Sequence, residues 1–262
     1  MTTGKEWLFD RRWTQDFTKS RQEFVAEFVK TTREQTSLVS AIDVGCGIGD
    51  FSKFLSDVGF RVIGIDGREE NALEAGRRYP GITFLTGDAE DMVAEQIGSS
   101  DLVLCFGLLY HLENPFRAIR KLHTLTDKVL LIETMCVPNL SPSMELLDEG
   151  VAQDQGLNYV AFYPSESCLA KMSYRAGFHF VYRCKELPAH DLYAATVWRK
   201  RLRTVLVASK IELKSPNLVL LKDERRPVPG VSDPWTTRLS RFRHRARRFA
   251  SVLVAPVRRW FR

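Results

Sequence analysis

Ala41-Ile42-Asp43-Val44-Gly45-Cys46-Gly47-Ile48-Gly49-Asp50 is the stretch from which the rest of the chain can be read. A short apolar run ends in an acid and enters a turn with G-x-G-x-G spacing. Phe51, Phe54, Leu55 and Val58 then fall on one face of a helical pattern. Strand, glycine turn and helix together make a ledge where bare backbone can touch a nucleoside-type cofactor, because glycine has no Cβ to hold it off. Dinucleotide folds use G-x-G-x-x-G and aim the helix N-terminus at a pyrophosphate. Here that N-terminus carries Asp50, and a helix start already bearing an anion is a poor host for a second one. A cofactor without phosphate suits the ledge better.

Two further strand ends extend the pattern. Asp66 closes Val62-Ile63-Gly64-Ile65-Asp66-Gly67, where an acid can accept the ribose hydroxyls of a nucleoside. Asp43 and Asp66 thus end neighbouring strands, at the edge where open α/β sheets bind ligands. In Phe84-Leu85-Thr86-Gly87-Asp88-Ala89-Glu90-Asp91, Asp88 can accept from an adenine amino group while Ala89 offers a backbone N–H; an ordinary turn or helix cap explains the same residues. S-adenosylmethionine, a nucleoside cofactor without phosphate, meets these requirements.

The bulk composition narrows the setting. With 262 residues the chain can bury one full α/β core, and 44% apolar with 27% charged residues are the proportions of a globular protein. The five cysteines, at 46, 105, 136, 168 and 184, form no C-x-x-C pair, so neither a disulfide framework nor a metal site is expected. That usage points to a reducing cytoplasm. The opening MTTGKEWLFDRRW lacks a signal peptide's apolar core, and no apolar run reaches the roughly 18 residues that span a bilayer. The net charge of +6 is unevenly spread. Residues 234–262 hold nine arginines and no acid, so the remaining chain carries about −3. An acidic body argues against a polynucleotide substrate.

Alternating strand and helix patterns predict a parallel sheet, with strands at 40–44, 61–65, 82–85, 101–106 and 128–133 and helices at 50–58, 69–78 and 115–125. Residues 16–36 read as an amphipathic helix, in which Ser20-Arg21-Gln22-Glu23 has a capping-box pattern and Phe17, Phe24, Val25, Phe28 and Val29 make an apolar stripe. With the aromatic cluster Trp7, Leu8, Phe9 and Trp13 they make an N-terminal helical segment, 1–37, that either lids a cleft or packs on the domain edge. Pro- and polar-rich residues 137–158 are expected as a substrate-side insertion. A helix capped by Ser165 runs to residue 176, and 178–187 and 203–213 read as an antiparallel strand pair closing the sheet. The main domain is therefore expected at 38–213, a proline-rich linker at 214–234 and a basic tail at 235–262. In the tail, Trp235, Leu239, Phe242, Ala246, Phe249 and Leu253 share one helical face and arginines fill much of the rest. Such a helix suits a membrane surface or a protein contact equally, with nucleic acid third.

Taken in order, DVGCGIGDF, VIGIDG and TFLTGDAED resemble the cofactor loop, ribose-binding strand and adenine-binding turn of the class I S-adenosylmethionine-dependent methyltransferases. DLVLCFGLLYHLENPFRAIRKL resembles their fourth strand and following helix, and the likeness covers roughly residues 38–213. It implies a Rossmann-like seven-stranded α/β sheet with helices on both faces. It also implies cofactor contacts from Asp43, Gly45, Cys46, Gly47, Gly49, Asp66, Gly67, Asp88, Ala89 and Phe106, with Asp43 supporting the cofactor's ammonium group. A narrower likeness joins Gly107-Leu108-Leu109-Tyr110-His111, Leu131-Ile132-Glu133-Thr134 and Phe162-Tyr163-Pro164-Ser165 to bacterial enzymes that alkylate the wobble uridine of tRNA. Those relatives hold a carboxylated cofactor with cationic side chains in an N-terminal extension that has no counterpart here.

Methyl transfer from a sulfonium is an in-line displacement, so the enzyme's main task is alignment. An alcohol nucleophile also needs a proton acceptor. His111, just past the fourth strand, is the candidate base, since histidine exchanges protons near neutral pH; a helix cap or core hydrogen-bonder is the alternative role. Tyr110 is expected to orient cofactor or substrate, and Glu133 to orient His111 or the acceptor. His123 and His179 read as structural, while His190 and Asp191 lie in a loop on the substrate side. Cys46 reads as a small packing residue. The expected reaction is O-methylation of a small molecule or glycan in the cytoplasm, with the tail suiting the inner membrane face. Uridine methylation or carboxymethylation of tRNA, and a non-catalytic cofactor-binding scaffold, are the alternatives.

Overall fold

The computed structural model describes residues 7–92, 94–149, 156–157, 159–194 and 202–223. In chain order the elements are α1 (Arg12–Thr36), β1 (Ser40–Val44), α2 (Asp50–Asp57), β2 (Arg61–Asp66), α3 (Glu69–Arg78), β3 (Thr83–Thr86) and the short α4 (Ala94–Ile97). Then come β4 (Ser100–Phe106), α5 (Pro115–Leu125), β5 (Thr126–Cys136), β6 (Met144–Asp148), β7 (Val160–Pro164), α6 (Glu166–Ala176), β8 (Phe180–Cys184), β9 (Leu202–Ser209) and β10 (Leu218–Leu220). The main sheet runs β10-β8-β9-β5-β4-β1-β2-β3. The strands β1 to β5 are mutually parallel, whereas β9 runs antiparallel to β5 and β8, and β10 antiparallel to β8. Strand order reverses between β1 and β4, and that switch point places a ligand crevice at their carboxyl ends.

Alternation along the strands divides the core. Val103 and Cys105 of β4 meet Ile119, Leu122 and Leu125 of α5 and Leu169 of α6 on one face. Leu102 and Leu104 meet Val25, Phe28 and Val29 of α1 and Leu55 of α2 on the other. Each such fully buried aliphatic side chain contributes about 1.5–3 kcal/mol relative to exposure. Local chemistry sets the helix ends. Asn114 accepts from the Arg117 N–H at 3.0 Å, just ahead of Pro115 at the first helical position of α5. Ser165 accepts from Cys168 N–H at 3.2 Å to cap α6, which stops at Gly177 with φ +118°.

Three expectations need correction. The main sheet has eight strands, not seven, because Leu218–Leu220, expected within a linker, pairs with β8. The 137–158 insertion contributes a strand, as β6 pairs with β7 in a separate hairpin. Ser20 does not cap a helix: α1 begins at Arg12, and the Ser20 hydroxyl bonds back to Phe17 O at 2.9 Å. Its buried stripe already starts at Thr14, a turn and a half upstream. The tail at 235–262, and the linker beyond residue 223, lie outside the described residues. Among the described residues no helix is long and apolar enough to cross a membrane.

Candidate active site

The carboxyl ends of β1, β2 and β4 open into a cavity of about 660 Å³. One end is floored by the turn after β1, where Gly45 and Gly47 have φ of +78° and +54°. A Cβ on Gly45 would lie 2.8 Å from Leu108 Cβ, and one on Gly47 would lie 2.8 Å from the Phe9 ring, so both positions admit only bare backbone. Gly45 and Cys46 donate their N–H groups to Ile65 O, at 2.8 and 3.0 Å, which ties the turn to β2. Cys46 lines the cavity with its thiol buried and its pKa pushed well up, chiefly by burial; it is a packing residue. Gly49 is not in the lining. A Cβ there would meet Phe84, Tyr79 and Ala75, so its role is close packing at the start of α2.

Asp66 does reach the cavity. Its carboxylate accepts from Gly47 N–H at 2.8 Å, Arg68 N–H at 2.9 Å and the Asn71 amide at 3.0 Å. Burial nevertheless pushes its pKa up, partly offset by those donors. Gly67, Asp88, Ala89 and Phe106 also line this end. Asp88 is exposed and accepts from Glu90 N–H at 2.8 Å, which fixes the turn. Asp50, at the start of α2, accepts from Gln15 at 3.2 Å and the Tyr79 hydroxyl at 3.1 Å.

Asp43 departs from expectation. It is 2% exposed and does not line the cavity. Strand alternation points it toward α2, away from Ile42 and Val44, and there it accepts from Ser52 Oγ at 2.8 Å. Burial raises its pKa to about 7, with the Ser52 bond opposing and the Asp66 charge adding. It therefore supports the glycine turn from below, outside the cavity lining. The Asp66 carboxylate at the cavity wall, beside the bare glycine ledge, still makes a negative well. That well fits a cofactor carrying sulfonium and ammonium charge and no phosphate.

The far end is built around Tyr110 and His111, which sit on a short 3-10 turn after β4 with rings 3.9 Å apart. His111 is 6% exposed, and its Nδ1 lies 2.6 Å from Glu149 Oε1, a contact that lacks the alignment of a hydrogen bond. Glu149 follows β6 in the insertion, and Tyr163 of β7 stands edge-on to Tyr110 at 5.9 Å. Glu133 is not the carboxylate beside His111. It shares the face of β5 with Val129 and Leu131, against α1, and is wholly buried. There it receives Arg203 Nη1 at 2.9 and 3.2 Å and Arg21 Nη1 at 3.5 Å. Burial works to raise its pKa, but the two arginines outweigh it and the net shift is downward.

Leu8, Phe9, Thr14, Phe17 and Thr18 of the N-terminal segment line the cavity on a further side. Asp10 anchors that segment to Arg78 of α3 through two 2.7 Å bonds. Opposite, Arg68 donates to Gly156 O at 2.7 Å, joining the insertion to the β2 turn. His190 packs on Phe17 at 5.0 Å, and its neighbour Leu192 lines the cavity. His123 stacks edge-on against Phe178 and His179 bonds Lys210 O, so both are structural. Sequence reasoning missed Arg21, Glu149 and Arg203. For Arg21 a signal existed, since an arginine sits on the buried stripe of an otherwise amphipathic helix. Glu149 gave none.

Comparison with known proteins agrees with this geometry. Residues 42–128 match the family model described as a methyltransferase domain. The ubiquinone biosynthesis O-methyltransferase of Vibrio campbellii is 36% identical over 86 residues, 30% of this chain and 35% of that protein. The match thus spans about a third of the length of such curated relatives. Among solved structures, the N-terminal domain of EvdMO1 with S-adenosylhomocysteine bound has a TM-score of 0.59 at 19% identity, covering 72% of this chain and 80% of that one. An amino pentose methyltransferase from Micromonospora echinaspora with S-adenosylmethionine bound has a TM-score of 0.54 at 15% identity, covering 79% and 100%. Residues 42–128 thus carry a methyltransferase domain, and the fold is that of solved methyltransferases with S-adenosylmethionine or S-adenosylhomocysteine bound.

Proposed function

We propose that the protein methylates a hydroxyl group of a small molecule or glycan, with His111 as the general base. The observation that carries this reading is the buried His111–Glu149 pair facing the cavity beside Tyr110. When bound, S-adenosylmethionine supplies a methyl group on a sulfonium, open to displacement by an oxygen. Gly45 to Gly47, Asp66 and the 88–89 turn would hold the adenosyl part. With Nδ1 turned to Glu149, the Nε2 of His111 is left to take the proton of the acceptor hydroxyl. The Glu149 carboxylate offsets the positive charge the ring then gains, and Tyr110 bounds the acceptor. The Vibrio relative is named for O-methylation and a fold neighbour for an amino pentose acceptor, which supports a small acceptor over a polynucleotide.

The test begins by incubating the full chain with methyl-labelled cofactor and fractions of host extract to isolate the labelled product. His111→Gln should lower kcat by about 100-fold or more, while S-adenosylhomocysteine binding, followed by calorimetry, stays within about two-fold. Glu149→Gln should lower kcat by about ten-fold through the same ring, with KM for the cofactor unchanged. Wild-type turnover by His111→Gln would refute the assignment.

A further inference from the structure

Gly156 and Leu157, further along the insertion from Glu149, also line the cavity. Gly156 is buried against the His111–Glu149 pair. A Cβ there would lie 2.9 Å from Glu149 Oε2, 3.2 Å from His111 O and 3.4 Å from His111 Cβ, so the glycine leaves the carboxylate room beside the ring. Leu157 packs on the β2 turn, its Cδ1 3.1 Å from where a Cβ on Gly67 would stand. Arg68, in that same turn, donates Nη2 to Gly156 O at 2.7 Å, while its backbone N–H goes to Asp66 at 2.9 Å. One residue thus holds the Asp66 carboxylate with its backbone and the segment behind Glu149 with its side chain. Glu149 N–H in turn donates to Tyr159 O at 2.9 Å, and Tyr159 has φ +56°, an angle a bulky side chain adopts only when its surroundings impose it.

Glu149 Oε2 is buried without a hydrogen-bond partner among the described residues, so packing sets where this carboxylate lies. A group placed by packing moves when the segment packed on it moves. We propose that Arg68 is a positioning residue for the general base: through Gly156 it keeps Glu149 against His111, and so ties the alignment of the base to the turn that carries Asp66. This rests on the reading of His111 as base and deepens it. The bond to Gly156 O has a charged donor, the stronger kind of hydrogen bond, and small displacements of a catalytic group are costly in rate. The loss on breaking it is bounded by the ten-fold expected for removing the Glu149 charge.

The full chain, free of cofactor and labelled with nitrogen-15 in its histidines, reports the ring nitrogens of His111 by NMR at pH 8. His111→Gln identifies its signals among those of the five histidines. Glu149→Gln should move them, and Arg68→Met should move them in the same direction, with no further change when the two substitutions are combined. With the extract fraction that yields the labelled product, Arg68→Met should lower kcat by about five- to ten-fold, and by less than about two-fold in the Glu149→Gln background. Its S-adenosylhomocysteine affinity, read by calorimetry, should stay within about two-fold, because the backbone N–H to Asp66 is retained. Arg68→Lys keeps a cationic donor and should recover part of the loss. Gly156→Ala, whose methyl displaces the end of the Glu149 side chain, gives a second test should Arg68→Met not fold, and should match Glu149→Gln in both readouts. His111 signals indifferent to Arg68→Met, a loss of the same size with and without the Glu149 carboxylate, or weaker S-adenosylhomocysteine binding at unchanged kcat would overturn the role. His111 signals indifferent to Glu149→Gln would instead overturn the His111–Glu149 pair on which it rests.

Discussion

Asp43 makes the stability of the cofactor-free protein depend on pH in a direction opposite to that of most carboxylates. Burial moves its pKa from 3.8 to about 7. Above pH 4 the unfolded chain releases this proton, whereas the native state keeps it until about pH 7. The native state then binds more protons than the unfolded one, so its stability falls as pH rises through that window and levels off above it. The whole displacement corresponds to about 4 kcal/mol, of which about 3 kcal/mol falls between pH 5 and pH 8.5. Asp43→Asn retains an oxygen for the Ser52 hydroxyl but cannot ionise. Its extra N–H costs about 1–3 kcal/mol, a penalty that does not change with pH. Asp66 is pushed the same way by burial and is present in both proteins, so it cancels to first order. Urea unfolding of both proteins at pH 5 and pH 8.5 should show the variant gaining about 3 kcal/mol on the wild type between the two conditions. A difference that is the same at both pH values would refute the reasoning.

Gly45→Ala places a methyl against Leu108 at a backbone angle of +78°, and should cost about 1–3 kcal/mol of stability, read from urea unfolding. S-adenosylhomocysteine affinity should fall by about ten-fold or more in the same variant, read by calorimetry. Asp10→Asn removes the anchor of the N-terminal segment to Arg78. Release of S-adenosylhomocysteine, followed by stopped-flow, should become faster in this variant and should lose the salt dependence that the wild type shows.

Much of the scaffold could be read from local chemistry. The acids-first, arginines-last order of Glu69 to Arg78 and the Asn114-Pro115 pair mark their helices because dipole and capping act within a single turn. The Ser20 motif misled because Ser-x-x-Glu carries no information on whether a helix has already begun, and α1 had, eight residues earlier. Leu218–Leu220 is too short to show a period. Of the site, the glycine turn and Asp66 were legible, being fixed by one strand and its turn. The Arg21–Glu133–Arg203 cluster was not, because it gathers α1, β5 and β9, and only the fold brings these together. Glu149 was hidden for the same reason, in a hairpin whose own pattern gives no hint that it faces His111.

The three donors on Asp66 have a consequence for which nucleosides the ledge can tell apart. A carboxylate offers about four lone-pair directions, and the Gly47, Arg68 and Asn71 donors already occupy three. One incoming hydroxyl finds a vacancy; a vicinal pair finds no second one, and the Gly47 amide is the resident whose departure reshapes the turn beneath the guest. A sugar that set both hydroxyls on Asp66 would therefore have to displace or share one of these donors, whereas a deoxy sugar would not.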